Sequence, residues 1–401
     1  MPLAHTAPLR REIAAAFPDR PFAVRFWDGS RIDATADGGP TFTVRSPRAV
    51  AHALRAPGQL GIGRAYVGGE LEVDDIDAVI RMLDDWKPPP VPATTRLRLI
   101  AAALAANGLT LPPAAPRAEL RPRGARRTKE RDARSVRHHY DLPPEFFALF
   151  LDESMTYSCA IFSRGATTLE EAQEAKLEMV CAKLDLQPGD RLLDIGCGWG
   201  SFATHAALRH GVEVVGITLS EPQARVARQR AAEAGVGERV EIRVMDYRDL
   251  AGERYDAIAS IGMVEHVGPE RIDLYAGQLA ALLPTGGRLL NHGIARLRPS
   301  DPEPGPFSER YVFPDGDPLP LSRVQLALER AGFVTGHLEG FAEDYAETLR
   351  HWARRLDENI DRATALAGAE RVRVWRLYLR AARNGFETGF TSIYQVRARL
   401  A

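Results

Sequence analysis

Leu193-Asp194-Ile195-Gly196-Cys197-Gly198-Trp199-Gly200 sets three glycines into a short turn directly after an apolar run. Glycine has no Cβ, so its backbone can approach a ligand closely. The first N–H groups of a helix starting there are free to face polar atoms. Such a turn resembles a dinucleotide fingerprint. However, the next apolar run ends Gly216-Ile217-Thr218-Leu219-Ser220, with no acidic residue to clamp a ribose in the dinucleotide manner. Thr218 and Gln223 offer hydrogen bonds to ribose hydroxyls instead. Asp194 precedes the first glycine, where a carboxylate orders the turn or faces the cationic side of a sulfonium amino acid. Asp246-Tyr247 follows a third apolar run, where a carboxylate can accept from an adenine amine. This donor set points to S-adenosylmethionine (SAM).

These residues must be positioned by alternating strands and helices. Arg191 to Ile195, Val212 to Ile217, Val240 to Val244, Tyr255 to Ser260 and Arg288 to His292 read as strands. Leu169 to Leu184, Gly200 to Arg209 and Glu221 to Ala234 read as helices. The alternation predicts a mostly parallel sheet covered by helices, an α/β, Rossmann-like SAM-dependent methyltransferase fold. Open sheets of this kind bind ligands at the carboxyl ends of their strands. Residues just after strands are therefore the first suspects: Ile261 to Val267, which includes Glu265, and His292 at the end of another strand. The tail after Phe341 reads as helical, with Trp352 and Trp375 among its apolar positions.

A smaller α+β domain is expected over residues 1–86. Phe22, Val24 and Phe26 alternate as in a half-buried strand, Asp28-Gly29 signals a hairpin turn, and Phe42 and Val44 repeat the alternation. Ser46-Pro47 opens a helix, and Asp75 to Trp86 reads as another. Residues 87–135 form the expected linker: a stiff Lys87-Pro88-Pro89-Pro90-Val91-Pro92 run, an amphipathic helix from Arg96 to Leu109, then a basic stretch. That stretch carries Arg117, Arg121, Arg123, Arg126, Arg127, Lys129, Arg131, Arg134 and Arg137 against Glu119, Glu130 and Asp132. It reads as a solvated linker or as a stripe attracting anionic headgroups. Residues 136–401 form the expected catalytic domain.

The 401 residues carry a formal net charge of −1, which argues against general nucleic-acid binding. Cys159, Cys181 and Cys197 cannot build a disulfide framework and lack CxxC spacing, so a reducing cytoplasm and no metal site are expected. The first residues show no secretory signal, and no apolar run approaches the ~18–20 residues that span a bilayer. Any membrane contact is expected to be peripheral, at the inner face.

Further segments carry a resemblance. Val136-Arg137-His138-His139-Tyr140-Asp141-Leu142 leads to Met155-Thr156-Tyr157-Ser158-Cys159-Ala160-Ile161-Phe162. Gly262-Met263-Val264-Glu265-His266-Val267-Gly268, Asn291-His292-Gly293-Ile294, Tyr311-Val312-Phe313-Pro314 and Tyr345 to Trp352 follow. Together they resemble the cyclopropane-fatty-acyl-phospholipid synthases and the mycolic acid cyclopropane synthases. The resemblance is dense from about residue 130 onward. It is looser around Leu60 to Leu71, which is similar to the N-terminal domain of the phospholipid-acting enzymes. It implies that Tyr157, Ser158, Asp194, Gly196, Gly198, Trp199, Thr218, Leu219, Gln223, Asp246, Tyr247 and Ile261 hold SAM. It further implies that Cys159, Glu265, His292, Tyr345 and the main chain of Ile294 hold a bicarbonate ion. A homodimer acting on phospholipid acyl chains is the implied assembly.

The implied chemistry suits those residues. An isolated alkene is a poor nucleophile, so the sulfonium methyl must be held in line with the π-bond, away from water. Methyl transfer leaves a carbocation, which calls for an apolar, aromatic lining. Phe162, Met263, Phe313 and Trp352 are the candidates. The new methyl must then lose a proton, for which a bound small anion suffices, with Glu265 organising that anion rather than acting as the base. Three rivals stand beside this reading: a relative leaving a 10-methylene or methyl-branched chain, a methyltransferase for polar small molecules or nucleic acid, and a non-catalytic lipid-binding protein. The complete Cys159, Glu265, His292 and Tyr345 set argues against the last.

Overall fold

The computed structural model describes residues 6–108, 113–120, 128–132, 134, 142–298, 305–312, 314 and 316–401. His138, His139, Phe313 and the cations Arg121, Arg123, Arg126, Arg127 and Arg137 lie outside the described residues. The chain packs into two units: residues 1–120, 305–312 and 367–381 form one, and 121–304, 313–366 and 382–401 the other. The boundaries expected at 86 and 135 differ from this division. The helix Ala93–Asn107 buries Ala102, Ala103 and Ala106 in the first unit's core. Arg373 and Arg380, distant in sequence, pair with Glu72 and Asp77 of that unit at 3.3 and 3.0 Å.

In the first unit, β1 (Ala23–Arg25) and β2 (Arg31–Ile32) form the antiparallel hairpin expected around Asp28-Gly29. β3 (Thr41–Val44) runs parallel to β1, and β4 (Leu71–Val73) antiparallel to β3. Ser46 and Asp75 cap the helices Pro47–Arg55 and Ile76–Asp85, their side chains accepting from Arg48 N and Ala78 N.

The second unit is built on a seven-stranded mixed sheet. Its strands are β5 (Arg191–Ile195), β6 (Glu213–Thr218), β7 (Val240–Val244), β8 (Ala257–Ile261), β9 (Arg288–Arg296), β10 (Phe333–Gly340) and β11 (Thr391–Leu400). Their order is β10-β11-β9-β8-β5-β6-β7. From β7 to β9 all pairs are parallel, whereas β11 runs antiparallel to both β9 and β10. Adjacent residues such as Leu192 and Leu193, or Ala257 and Ile258, belong to two separate buried clusters, so both faces of the sheet are covered. The helix Leu169–Leu184 starts with a capping box between Thr168 and Glu171.

Two expectations need correction. The tail after Phe341 forms the helices Ala342–Glu358, Ile360–Ala367 and Ala369–Glu387, but it ends in β11, an inner strand of the sheet. Buried Ser392 and Gln395 interrupt the apolar alternation of β11, so pairing with β9 rather than local pattern makes it a strand. His292 does not end β9. The parallel register with β8 stops at the pair Ile261 and His292, and β9 continues to Arg296 against β11.

Candidate active site

Tyr157, Ser158, Asp194, Gly196, Gly198, Trp199, Thr218, Leu219, Gln223, Asp246, Tyr247 and Ile261 line one cleft at the carboxyl ends of β5 to β8. The turn after β5 gives it its floor. Gly200 has φ 83°, and a Cβ there would lie 2.8 Å from the Cβ of Ala227. Only glycine both adopts this backbone and lets the helix Ser201–His210 start against the helix Glu221–Glu233.

Within the cleft, Thr218 Oγ1 donates to Gln223 Oε1 at 2.8 Å, which fixes the orientation of both side chains. Burial pushes the Asp246 carboxyl up, but Arg248 more than offsets it and holds it below the usual carboxylate range. The Arg248 backbone N–H, Nε and an Nη donate to Asp246 at 2.9, 2.8 and 2.5 Å. Asp194 is buried and its Oδ2 has no hydrogen-bond partner. Burial raises its carboxyl to about 7 against the opposing charge of Lys176. A buried polar atom without a partner is costly. The cationic amino acid end of SAM would supply a donor to that oxygen.

Lys176 was missed by motif reading. It is 1 % exposed, lines the cleft, and donates from Nζ to Ser158 Oγ at 3.1 Å. Burial lowers it to about 8, with Asp152, Cys159 and Asp194 pulling it back up. Its sequence signal was the stripe Leu169, Ala172, Leu177, Val180, Cys181 and Leu184, onto which positions 173 and 176 also fall. Of the expected lining residues, Met263 faces the cleft. Trp352 is fully buried and stacks on Tyr157 at 5.0 Å. Phe162 is absent from the cleft wall and instead stacks on His351 at 5.2 Å.

The second group gathers around β9 and the start of the helix Ala342–Glu358. The Ile294 amide donates to Glu265 Oε1 across a long 3.4 Å, and Glu265 Oε2 is buried without a partner. Burial raises the Glu265 carboxyl to about 7 despite that amide. Gly293 makes room for it: a Cβ there would sit 2.2 Å from Val264 Cγ1 and 3.3 Å from Glu265 Oε2. The Cys159 thiol donates to the carbonyls of Ala160 and Phe341 at 3.3 and 3.8 Å, and burial pushes it well above the usual thiol range. It is therefore a neutral S–H rather than a nucleophile. Phe341 also packs its ring against His292 at 6.2 Å and accepts from the Tyr345 amide at 3.0 Å. The Tyr345 ring lies 6.2 Å from Trp352 and 4.7 Å from Phe386.

His292 is fully buried, and burial together with Lys176 and Lys183 lowers it to about 3, so the ring is neutral. Its tautomer follows from its neighbours. Lys183 Nζ donates to Gln395 Oε1 at 2.6 Å and to Glu339 at 2.7 Å. The Gln395 amide nitrogen must then face His292 Nδ1, at 3.4 Å. An amide NH2 can only donate, so Nδ1 accepts and Nε2 carries the proton. Nε2 is buried without a partner. When protonated, the Glu265 carboxyl is a donor like the His292 Nε2–H, and a small oxyanion accepts from such groups.

A mixed sheet whose parallel strands carry this cleft at their carboxyl ends is consistent with the Rossmann-like fold of SAM-dependent methyltransferases. The family model described as mycolic acid cyclopropane synthetase matches residues 127–396, and the chain belongs to that family. It is 38% identical over 407 residues to a protein of Mycobacterium tuberculosis named a probable fatty acid methyltransferase, covering 96% of this chain and 93% of that one. It is 34% identical over 348 residues to the cyclopropane-fatty-acyl-phospholipid synthase of Escherichia coli K12, covering 84% and 82%. The solved mycolic acid cyclopropane synthase CmaA1 in complex with SAH and CTAB superimposes with a TM-score of 0.63 at 35% identity, over 67% of this chain and 98% of that one. The protein is an enzyme of the SAM-dependent methyl-transfer type.

Proposed function

We propose that this enzyme transfers the SAM methyl carbon to the cis double bond of an unsaturated acyl chain on a phospholipid and closes a cyclopropane ring. The observation that carries this reading is that two buried polar atoms, Glu265 Oε2 in the turn after β8 and His292 Nε2 in β9, each lack a hydrogen-bond partner. The burial of each is unfavourable unless a hydrogen-bonding species meets it. In this reading bicarbonate would take hydrogen bonds from both, joined by Cys159, Tyr345 and the main chain of Ile294. When bound, it supplies the base for the proton lost on ring closure. The chain's own residues orient that base and exclude water, and burial favours the protonated form of Glu265.

The acyl chain arrives from a lipid surface. On the helix Ala93–Asn107, Leu97, Ile100 and Leu104 are 67%, 42% and 55% exposed and fall at i, i+3 and i+7, one face of the helix. Such a face inserts shallowly at a membrane interface, and no helix among the described residues is long and apolar enough to cross a membrane. The basic stretch contributes less than expected from its described part, since Lys129 pairs with Asp249 and Arg131 is buried. A homodimer at the inner face of the membrane completes the reading.

A second reading, transfer without ring closure to a 10-methylene or methyl-branched chain, is favoured by the relative named as a fatty acid methyltransferase. One experiment separates them. Full-length enzyme is incubated with SAM and mono-unsaturated phospholipid vesicles, with and without bicarbonate, and the acyl chains are analysed by mass spectrometry. The ring-closed and exomethylene products both gain one CH2 and have the same mass, but ring closure removes the alkene, which proton NMR of the recovered acyl chains reads by the loss of olefinic signals. An exomethylene product keeps a double bond and supports the second reading. No transfer to vesicle lipid sinks both. Product formation unaffected by rigorous bicarbonate removal sinks the proposed base.

A further inference from the structure

Outside the cleft, two helices of the second unit bring a thiol and two imidazoles together. Cys181 lies on Leu169–Leu184, and His205 and His210 on Ser201–His210. One sulfur or ring-nitrogen atom from each lies within 4.8 Å of the other two. Cys181 is buried, and both histidines are half-buried. Nε2 of His205 and Nε2 of His210 each approach the same oxygen, Oε2 of Glu178, at 3.2 Å. Glu178 precedes Cys181 by three residues on one helix, so the two side chains share a face.

We propose that Cys181, His205, His210 and Glu178 form a four-coordinate site for a zinc-type divalent cation. With metal–nitrogen bonds of about 2.0–2.1 Å and metal–sulfur bonds of about 2.3 Å, tetrahedral ligands stand roughly 3.3–3.8 Å apart. The two nitrogen–oxygen spacings are already close to that range, whereas the sulfur, within 4.8 Å of the two ring nitrogens, must move closer to complete the set. Thiolate and imidazole favour zinc over the hard cations magnesium and calcium. The charges balance: on binding, the Cys181 S–H bond breaks, a sulfur–metal bond forms, and the proton leaves to solvent. Thiolate and carboxylate then neutralise the dication, while both imidazoles bind uncharged. A surface cavity lined by Glu174, Glu178, Arg209 and His210 gives the ion an entry path, with Arg209 held off by Glu174 at 3.0 Å. The ligands come from two separate helices, so no CxxC spacing announces the site. Its place has a consequence. One of the two helices carries Lys176 and the other begins at the end of the glycine turn, so the ion would tie together two walls of the SAM cleft.

The test uses the full-length protein stripped with a chelator, then titrated with ZnCl2 against a competing indicator, and separately with CoCl2. One zinc per chain, a tetrahedral cobalt spectrum with a thiolate-to-cobalt charge-transfer band, and a zinc-dependent rise in melting temperature are expected. Cys181→Ser should abolish the charge-transfer band. His210→Gln, at a half-buried position, should weaken zinc binding by about 100-fold or more, beyond the effect of losing a residue that only supports a ligand. Failure of the stripped wild-type protein to take up zinc in competition overturns the site. So does a cobalt spectrum that Cys181→Ser and His210→Gln leave unchanged.

Discussion

His292 is held in one neutral tautomer by a chain of donors that begins at Lys183 and passes through Gln395. Gln395→Leu removes the donor to Nδ1 and leaves the proton free to settle on either nitrogen. The expected result is a fall in kcat on the order of 10²-fold, with KM for SAM unchanged. Nitrogen-15 shifts of the ring should show mixed tautomers, and a single Nε2–H tautomer in the variant would count against the chain. Glu265 makes a claim on stability as well. Burial raises it from 4.5 to about 7, so between those values the folded chain holds a proton that the unfolded chain has lost. Its contribution is present below pH 4.5 and falls by about 1.4 kcal/mol per pH unit up to pH 7. His292, lowered from 6.5 to about 3, acts in the opposite direction over its own window. Glu265→Gln should therefore match the wild type near pH 5 and exceed it at pH 8, by on the order of 2–3 kcal/mol, while losing activity. Parallel melting curves for the two proteins across that range would remove this account.

At the scale of elements, β9 and the short 3-10 turn Val264–His266 place Glu265 by contact through a missing side chain. Gly293→Ala would put a methyl 2.2 Å from Val264 Cγ1 and 3.3 Å from Glu265 Oε2. The turn must move, and Glu265 with it. The expected outcome is a loss of methyl transfer of about 100-fold, consistent with the cost of an ångström-scale misplacement, with SAM affinity retained. Calorimetry that shows SAM binding lost in step with activity would point to general unfolding instead. The loop bearing Cys159 is pinned in a different way. Asp344 accepts from the Phe162 and Ser163 amides at 2.6 and 2.7 Å, and Thr348 accepts from Ala160 at 3.0 Å. These bonds tie Cys159 to the helix that supplies Tyr345, so the two residues are positioned as one element.

At the scale of the molecule, the proposed chemistry on a membrane-embedded alkene would demand both a sheltered cavity and a surface that meets lipid. The exposed stripe Leu97, Ile100 and Leu104 is the described surface best suited to the second task. Replacing all three by Gln should lower co-sedimentation with anionic vesicles by about 10-fold, by removing apolar area from the interface. Activity on vesicles should fall with it, and SAM affinity should not change. Vesicle binding equal to the wild type would move the lipid contact elsewhere.

Local sequence was enough to specify the parallel core and the cofactor cleft. The strands before each glycine or acidic turn are short, apolar and sharply bounded, and in an open sheet their carboxyl ends all meet on one side, so spacing along the chain maps directly onto the cleft. Through a resemblance to a family it also led to the expectation that Cys159, Glu265, His292 and Tyr345 form one constellation. Tertiary structure alone decided the rest. β11 exists because β9 offers it hydrogen bonds, and β10 because β11 does; no local pattern encodes that pairing. Lys176 and Gln395 are ordinary polar residues in sequence, and burial beside Asp194 and His292 is what gives them their roles. The tautomer of His292 and the cluster of Cys181 with His205 and His210 arise the same way, from side chains brought together by elements that are distant along the chain.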